Sequence, residues 1–138
     1  MFKSTTRIKV RYAETDQMGI VHHSNYYVYF EAAREDFIAE TGIRYKELED
    51  KGVMMPLVET QCRYMEGAKY DDMLIIETSL EELTPAKISL QYTVIREIDG
   101  KQLAKGKTVL AFVDKESFRV LNLKRKFPEI WERLEVLK

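Results

Sequence analysis

Between Asp16 and Tyr26 the chain reads Asp16, Gln17, Met18, Gly19, Ile20, Val21, His22, His23, Ser24, Asn25, Tyr26. A carboxylate here sits on a loop that leaves a strand. Gly19, three residues on, lets the backbone turn tightly and approach a ligand closely. The chain then enters the N-terminus of its longest helix, where free backbone N–H groups carry partial positive charge. A thioester carbonyl resting on those donors would find an oxyanion site. A nearby carboxylate would attack its carbon or activate a water. The residues therefore have the makings of acyl transfer. An aspartate in a turn also commonly just accepts backbone hydrogen bonds, and spacing alone leaves that reading open. His22 and His23 invite a metal reading, but neighbours on a helix do not face each other and no third ligand cluster stands near, so no metal site is expected. Histidine as an oriented proton carrier fits better, because its ordinary pKa lies near neutrality.

The elements that must hold this segment follow from periodicity. Residues 6–13 read as a strand, with Ile8, Val10 and Tyr12 on one face and Arg7, Lys9 and Arg11 on the other. From Ser24 to about Thr41, Tyr26, Phe30, Ala33 and Phe37 form one helical stripe. Ser24 or Asn25 is the expected N-cap, and Gly42 the stop. Glu31 and Arg34, three apart, read as a surface pair. A short helix over 45–51 precedes strands over 54–64, 73–83, 87–98 and 102–113. Asp99-Gly100 signals a type I′ hairpin turn between the last two. A short strand over 118–121 and a C-terminal helix opening at Pro128 complete the chain. Several hairpin-joined strands and one long helix predict an α+β fold, an antiparallel sheet with the helix packed on one face. One sheet covers only one side of such a helix, so oligomerisation is a natural way to bury more of it.

The whole has the size of one domain, 138 residues with no repeat or linker, and 45% of them are hydrophobic. Basic and acidic side chains number 22 and 23, for a net charge of -1, which gives no electrostatic case for nucleic acid or an acidic membrane surface. Cys62 is the only cysteine, which excludes an intrachain disulfide and a cysteine-rich zinc site. No apolar run approaches the ~20 residues of a membrane span. The N-terminal residues do not read as a signal peptide, and the expected location is cytoplasmic.

Asp16, Gly19-Ile20-Val21, His22-His23 and Asn25-Tyr26, with Arg11-Tyr12 upstream and Glu31 to Arg34 downstream, resemble the signature of the 4-hydroxybenzoyl-CoA thioesterase family of the hotdog fold. The likeness is greatest to the acyl-CoA thioesterases associated with Tol-Pal operons. Pro56 to Glu59, Arg63-Tyr64 and Tyr70 to Asp72 fit the same pattern, so the resemblance covers residues 5 to 123. It implies a hotdog fold, with a sheet of five to six strands wrapped around the long helix. It also implies dimers with a continuous sheet, often paired into homotetramers, with active sites between subunits.

By motif match, Asp16 takes the place of the catalytic carboxylate, as nucleophile or general base. His23 takes that of the residue whose backbone N–H polarises the thioester carbonyl. Gly19, Ile20, Val21 and Tyr26 fall at the substrate, and Lys87 where the family often places a basic residue for the coenzyme A nucleotide. Coenzyme A enters only as part of the acyl-CoA substrate and product, with no other cofactor. Two departures stand out. Glu14 replaces an aspartate common two residues before the catalytic one, and His22 replaces a tyrosine or tryptophan, a change expected to act on the acyl pocket. Two other functions share these features: an acyl-CoA or acyl-carrier-protein binding module without turnover, and a hotdog enoyl-thioester hydratase pairing Asp16 with His23.

Overall fold

The apolar stripe of the long helix decides where the sheet goes. A computed structural model describes residues 1–138. Strand β1 (Ser4–Lys9) leads through a 3-10 turn at Tyr12–Glu14 to helix α1 (Asn25–Ala39) and helix α2 (Tyr45–Asp50). Strands β2 (Val53–Met54), β3 (Leu57–Tyr64), β4 (Met73–Leu83), β5 (Lys87–Arg96), β6 (Gln102–Ala111) and β7 (Val113–Asp114) follow. Helices α3 (Leu123–Lys126) and α4 (Pro128–Glu135) end the chain. Five strands form one antiparallel sheet in the order β1-β4-β5-β6-β3, and β2 pairs with β7 in a separate two-stranded ribbon. This is the α+β hotdog arrangement that the resemblance implies.

Tyr26, Phe30, Ala33 and Phe37 are all buried, joined on the same helix by Tyr29, Arg34 and Ile38. Opposite them, Ile88, Leu90, Tyr92 and Val94 alternate inward from β5 as their spacing predicts. One cross-sheet row runs Ser4–Thr78–Tyr92–Gly106–Cys62. Phe30 stacks on Tyr92 in this row, with ring centroids 4.4 Å apart and planes at 13°. The same ring lies over Gly106, where a Cβ would overlap Phe30 Cε2 and Cζ. Gly106 thus leaves the room on the sheet that the Phe30 ring of the helix occupies.

Several expectations need correction. β1 ends at Lys9 rather than at Ala13, and Tyr12 is 77% exposed rather than on the inner face. The chain turns at Arg11: Glu14 bends back to accept the Arg11 backbone N–H at 2.9 Å, and Glu14 N–H bonds Arg11 C=O at 3.0 Å. Arg34 is not in a surface pair with Glu31. It is buried at 6% exposure, with its guanidinium on the Tyr92 hydroxyl at 3.4 Å and its Nε unpartnered. The β5–β6 connection spans residues 97–101 rather than a two-residue turn, and only Gly100 has positive φ (70°). The expected strand over 118–121 reduces to one bridge, Val113 with Val120. α1 ends at Ala39 with Glu40 as its C-cap, short of the expected Thr41; Gly42, at φ 84°, closes the turn that follows, and Pro128 opens α4.

β3 is an edge strand, and its Leu57, Val58 and Tyr64 are 51%, 65% and 44% exposed. No helix is long and apolar enough to cross a membrane.

Candidate active site

The loop between the 3-10 turn and α1 is built around Glu14. Its carboxylate Oε1 accepts the Arg11 N–H and the Tyr29 hydroxyl, at 2.9 and 3.0 Å, while Oε2 faces the Arg11 guanidinium at 3.0 Å. Burial pushes this carboxyl up. The hydrogen bonds from Arg11 and Tyr29 outweigh it and hold Glu14 below the ordinary carboxylate range. Burial and the Glu14 charge together raise the Tyr29 hydroxyl, so it stays a donor. The backbone C=O of Glu14 meanwhile accepts His22 N–H at 2.9 Å and Asn25 Nδ2 at 2.8 Å. One residue therefore anchors both ends of the segment that carries Asp16 and His23. The Glu14 departure from the family pattern falls at a supporting position, and the longer side chain fills it.

Asp16 sits half-buried at the start of a tight turn. Its Oδ1 accepts Met18 N–H at 2.9 Å, its C=O accepts Gly19 N–H at 2.9 Å, and its N–H donates to Ile20 C=O at 2.8 Å. One carboxylate oxygen serves the turn, and the other makes no hydrogen bond within the chain. Gly19 has φ 81°, which the turn requires, but a Cβ there would meet open space. It serves the turn and is not among the residues that line the pocket described below.

The helix N-terminus differs from expectation. Ser24 and Asn25 make no side-chain cap on α1: Ser24 Oγ bonds His22 Nδ1 at 2.8 Å and Asn25 turns to Glu14. The N–H groups of Asn25, Tyr26 and Tyr27 close on the C=O groups of His22, His23 and Ser24 at 2.9, 3.3 and 3.3 Å. They are not free donors. The N–H of His23 makes no hydrogen bond within the chain and is the free donor beside this helix start.

Asp16 and His23 line one pocket of about 210 Å³, together with Met18, Ile20, Val21, Tyr26, Tyr64, Met65, Glu66 and Gly67. Of the residues singled out from sequence, Asp16, His23, Ile20, Val21 and Tyr26 are thus brought together. Lys87 is not. The pocket lies where Tyr64, Ala104 and Val94 stand abreast, seven residues along β5 from Lys87, a separation of about 23 Å at strand rise. His22 also stays outside the lining; its ring lies tilted at 32° against that of His23, with centroids 4.1 Å apart. The far wall, residues 64–67, was not assigned from sequence. Arg63-Tyr64 was a visible signal, but nothing local says that the end of β3 crosses to the loop before α1. Burial raises the thiol of neighbouring Cys62, more than its contact with Tyr64 lowers it, as for a quiet half-buried cysteine.

This architecture has known counterparts. The family model described as the thioesterase-like superfamily matches residues 10–134. The chain belongs to that superfamily. This thioesterase-like chain is similar to the putative acyl-CoA thioesterase YneP of Bacillus subtilis (strain 168), 36% identical over 129 residues, covering 94% of this chain and 93% of the relative. Among solved structures it is similar to a DHNA-CoA thioesterase from Staphylococcus aureus, with TM-score 0.91, 31% identity and coverage of 99% and 93%. It also matches the hypothetical protein TT1821 from Thermus thermophilus, with TM-score 0.90, 41% identity and coverage of 98% and 99%. The match of whole chains carries the hotdog fold with it.

Proposed function

We propose that this protein hydrolyses acyl-CoA thioesters. The observation that carries the reading is the pairing, in one pocket, of a carboxylate oxygen and a backbone N–H that both lack partners within the chain, on Asp16 and His23. The thioester carbonyl oxygen accepts the His23 N–H, which stabilises the negative charge that develops as the carbon becomes tetrahedral. Asp16 either attacks that carbon, with water later cleaving the anhydride, or takes a proton from an attacking water. In either order the C–S bond breaks, the sulfur leaves as coenzyme A thiolate and takes up a proton, and the acyl group leaves as a carboxylic acid. Coenzyme A is part of substrate and product, and the scheme calls on no other cofactor. Names of similar proteins, acyl-CoA and DHNA-CoA thioesterases, support the substrate class.

The unpaired β3 edge, with exposed Leu57 and Val58, supports assembly as a homodimer through that edge or a homotetramer of two such dimers. Lys87, remote from the pocket of its own chain, would then serve the nucleotide of a coenzyme A bound at the partner's pocket. A cytoplasmic location completes the proposal.

The test is an acyl-CoA panel with released thiol measured. Thiol release supports hydrolysis. Tight calorimetric binding of a non-hydrolysable acyl-CoA analogue without thiol release from any member favours a binding module. Loss of enoyl-CoA absorbance without free thiol favours a hydratase.

A further inference from the structure

Tyr64 ties the end of the edge strand to the loop that presents the His23 N–H. Its hydroxyl donates to the His23 C=O at 3.2 Å. The same carbonyl accepts the Tyr26 N–H at 3.3 Å, and the Ser24 N–H of that peptide reaches His22 Nδ1 at 3.3 Å. All three of these are long bonds. On the other side of His23, the preceding backbone is held by shorter ones: His22 N–H on Glu14 C=O and Asn25 N–H on His22 C=O, each at 2.9 Å. His23 is therefore held most firmly on its N-terminal side, and on its C-terminal side by three long bonds, of which only that from Tyr64 comes from another element. The ring of Tyr64 is itself located by edge contacts, with centroids 5.2 Å from Tyr26 and 6.5 Å from His23. Burial first, then the Cys62 thiol and Tyr27 hydroxyl beside it, raise the Tyr64 hydroxyl above the ordinary phenol range, so it stays protonated and able to donate.

We propose that Tyr64 is a positioning residue that fixes His23 so that its N–H points at the carbonyl oxygen of a bound thioester. This rests on the thioesterase reading of the site. The peptide that carries the His23 N–H is held through His22 C=O by the Asn25 N–H, and Tyr64 holds the next peptide, so the two bonds together fix both planes at the His23 Cα. A donor fixed in place before charge develops stabilises the transition state more than one that must reorient. The ground-state complex makes less demand on that direction, so the effect belongs in kcat rather than in KM. The arrangement also links the pocket to β3, because the residue that steadies the donor stands at the end of the free edge strand.

The experiment compares wild type with Tyr64→Phe, which keeps the ring contacts and removes only the hydroxyl. Active-site concentration is taken from the binding stoichiometry of a non-hydrolysable acyl-CoA analogue, so a partly unfolded sample does not imitate a slow enzyme. The expected result is a kcat lowered about tenfold with KM within about twofold. The ¹³C chemical shift of the His23 carbonyl should move in the same variant without ligand. Tyr64→Leu, which also removes the ring from the pocket wall, should lower kcat at least as far and raise KM. An unchanged kcat in Tyr64→Phe, or an unmoved His23 carbonyl signal, overturns the proposal while leaving the hydrolase reading intact. A wild-type protein that releases thiol from no acyl-CoA overturns both.

Discussion

Glu14→Gln separates the charge of Glu14 from its shape. Oε1, which accepts the Arg11 N–H and the Tyr29 hydroxyl, is kept. Oε2, which accepts from the Arg11 guanidinium at 3.0 and 3.2 Å, becomes an NH₂ that faces another donor. A hydrogen bond to a charged group contributes about 1.5–3 kcal/mol. The Arg11 side chain is 78% exposed and can turn to water, so the discounted cost is about 1–2 kcal/mol. For a domain of this size that lowers Tm by about 3–10 °C. The assay is thermal unfolding of both proteins at one fixed concentration, from pH 7 downward. Glu14 has a folded pKa below its unfolded value. Its contribution is therefore full above the unfolded value and disappears as pH falls through the folded one, where a protonated Glu14 resembles glutamine. The gap between the proteins should close in acid. Equal stability at pH 7, or a gap that persists undiminished below the folded pKa, refutes the assignment of Glu14 as an ionised anchor.

Two further outcomes concern the packing beneath α1. Gly106→Ala should cost about 1–3 kcal/mol in urea unfolding, because its Cβ overlaps a Phe30 ring that Tyr92 keeps from withdrawing; unchanged stability would refute the close approach. Arg34→Met keeps the stem and removes a guanidinium whose Nε lacks a partner, while Tyr92 keeps its 2.6 Å bond to Thr108. It should leave stability within about 1 kcal/mol of wild type, and a loss of about 3 kcal/mol or more would mean that the charge has an anionic partner in the assembled protein.

The parts of this molecule that the sequence makes legible are those set by local period. Tyr26, Phe30, Ala33 and Phe37 repeat at helical spacing, and Ile88 to Val94 alternate, so α1 and β5 and their buried faces follow directly. The Asp16 to Tyr26 segment was equally visible, because its residues lie together in the chain. What escaped was set by contacts across the fold. β1 stops short because Glu14 folds back on Arg11 and Tyr29. Arg34 looks like a surface residue until Tyr92, 58 positions away, covers it. Tyr64 reaches His23 across 41 positions, and no pattern in either segment announces it. At the helix N-terminus the first donors close on the turn before them, which spacing does not reveal.

The central claim is that the free oxygen of Asp16 and the free N–H of His23 together cleave a thioester. The most direct measurement is kcat/KM for acyl-CoA hydrolysis by Asp16→Asn, alongside the Kd of a non-hydrolysable acyl-CoA analogue. Asparagine keeps an oxygen for the Met18 N–H, so the turn survives and binding should stay within a fewfold of wild type. Loss of the carboxylate should lower kcat/KM by about a hundredfold or more. An Asp16→Asn protein that binds the analogue and still releases thiol at the wild-type rate would contradict the account.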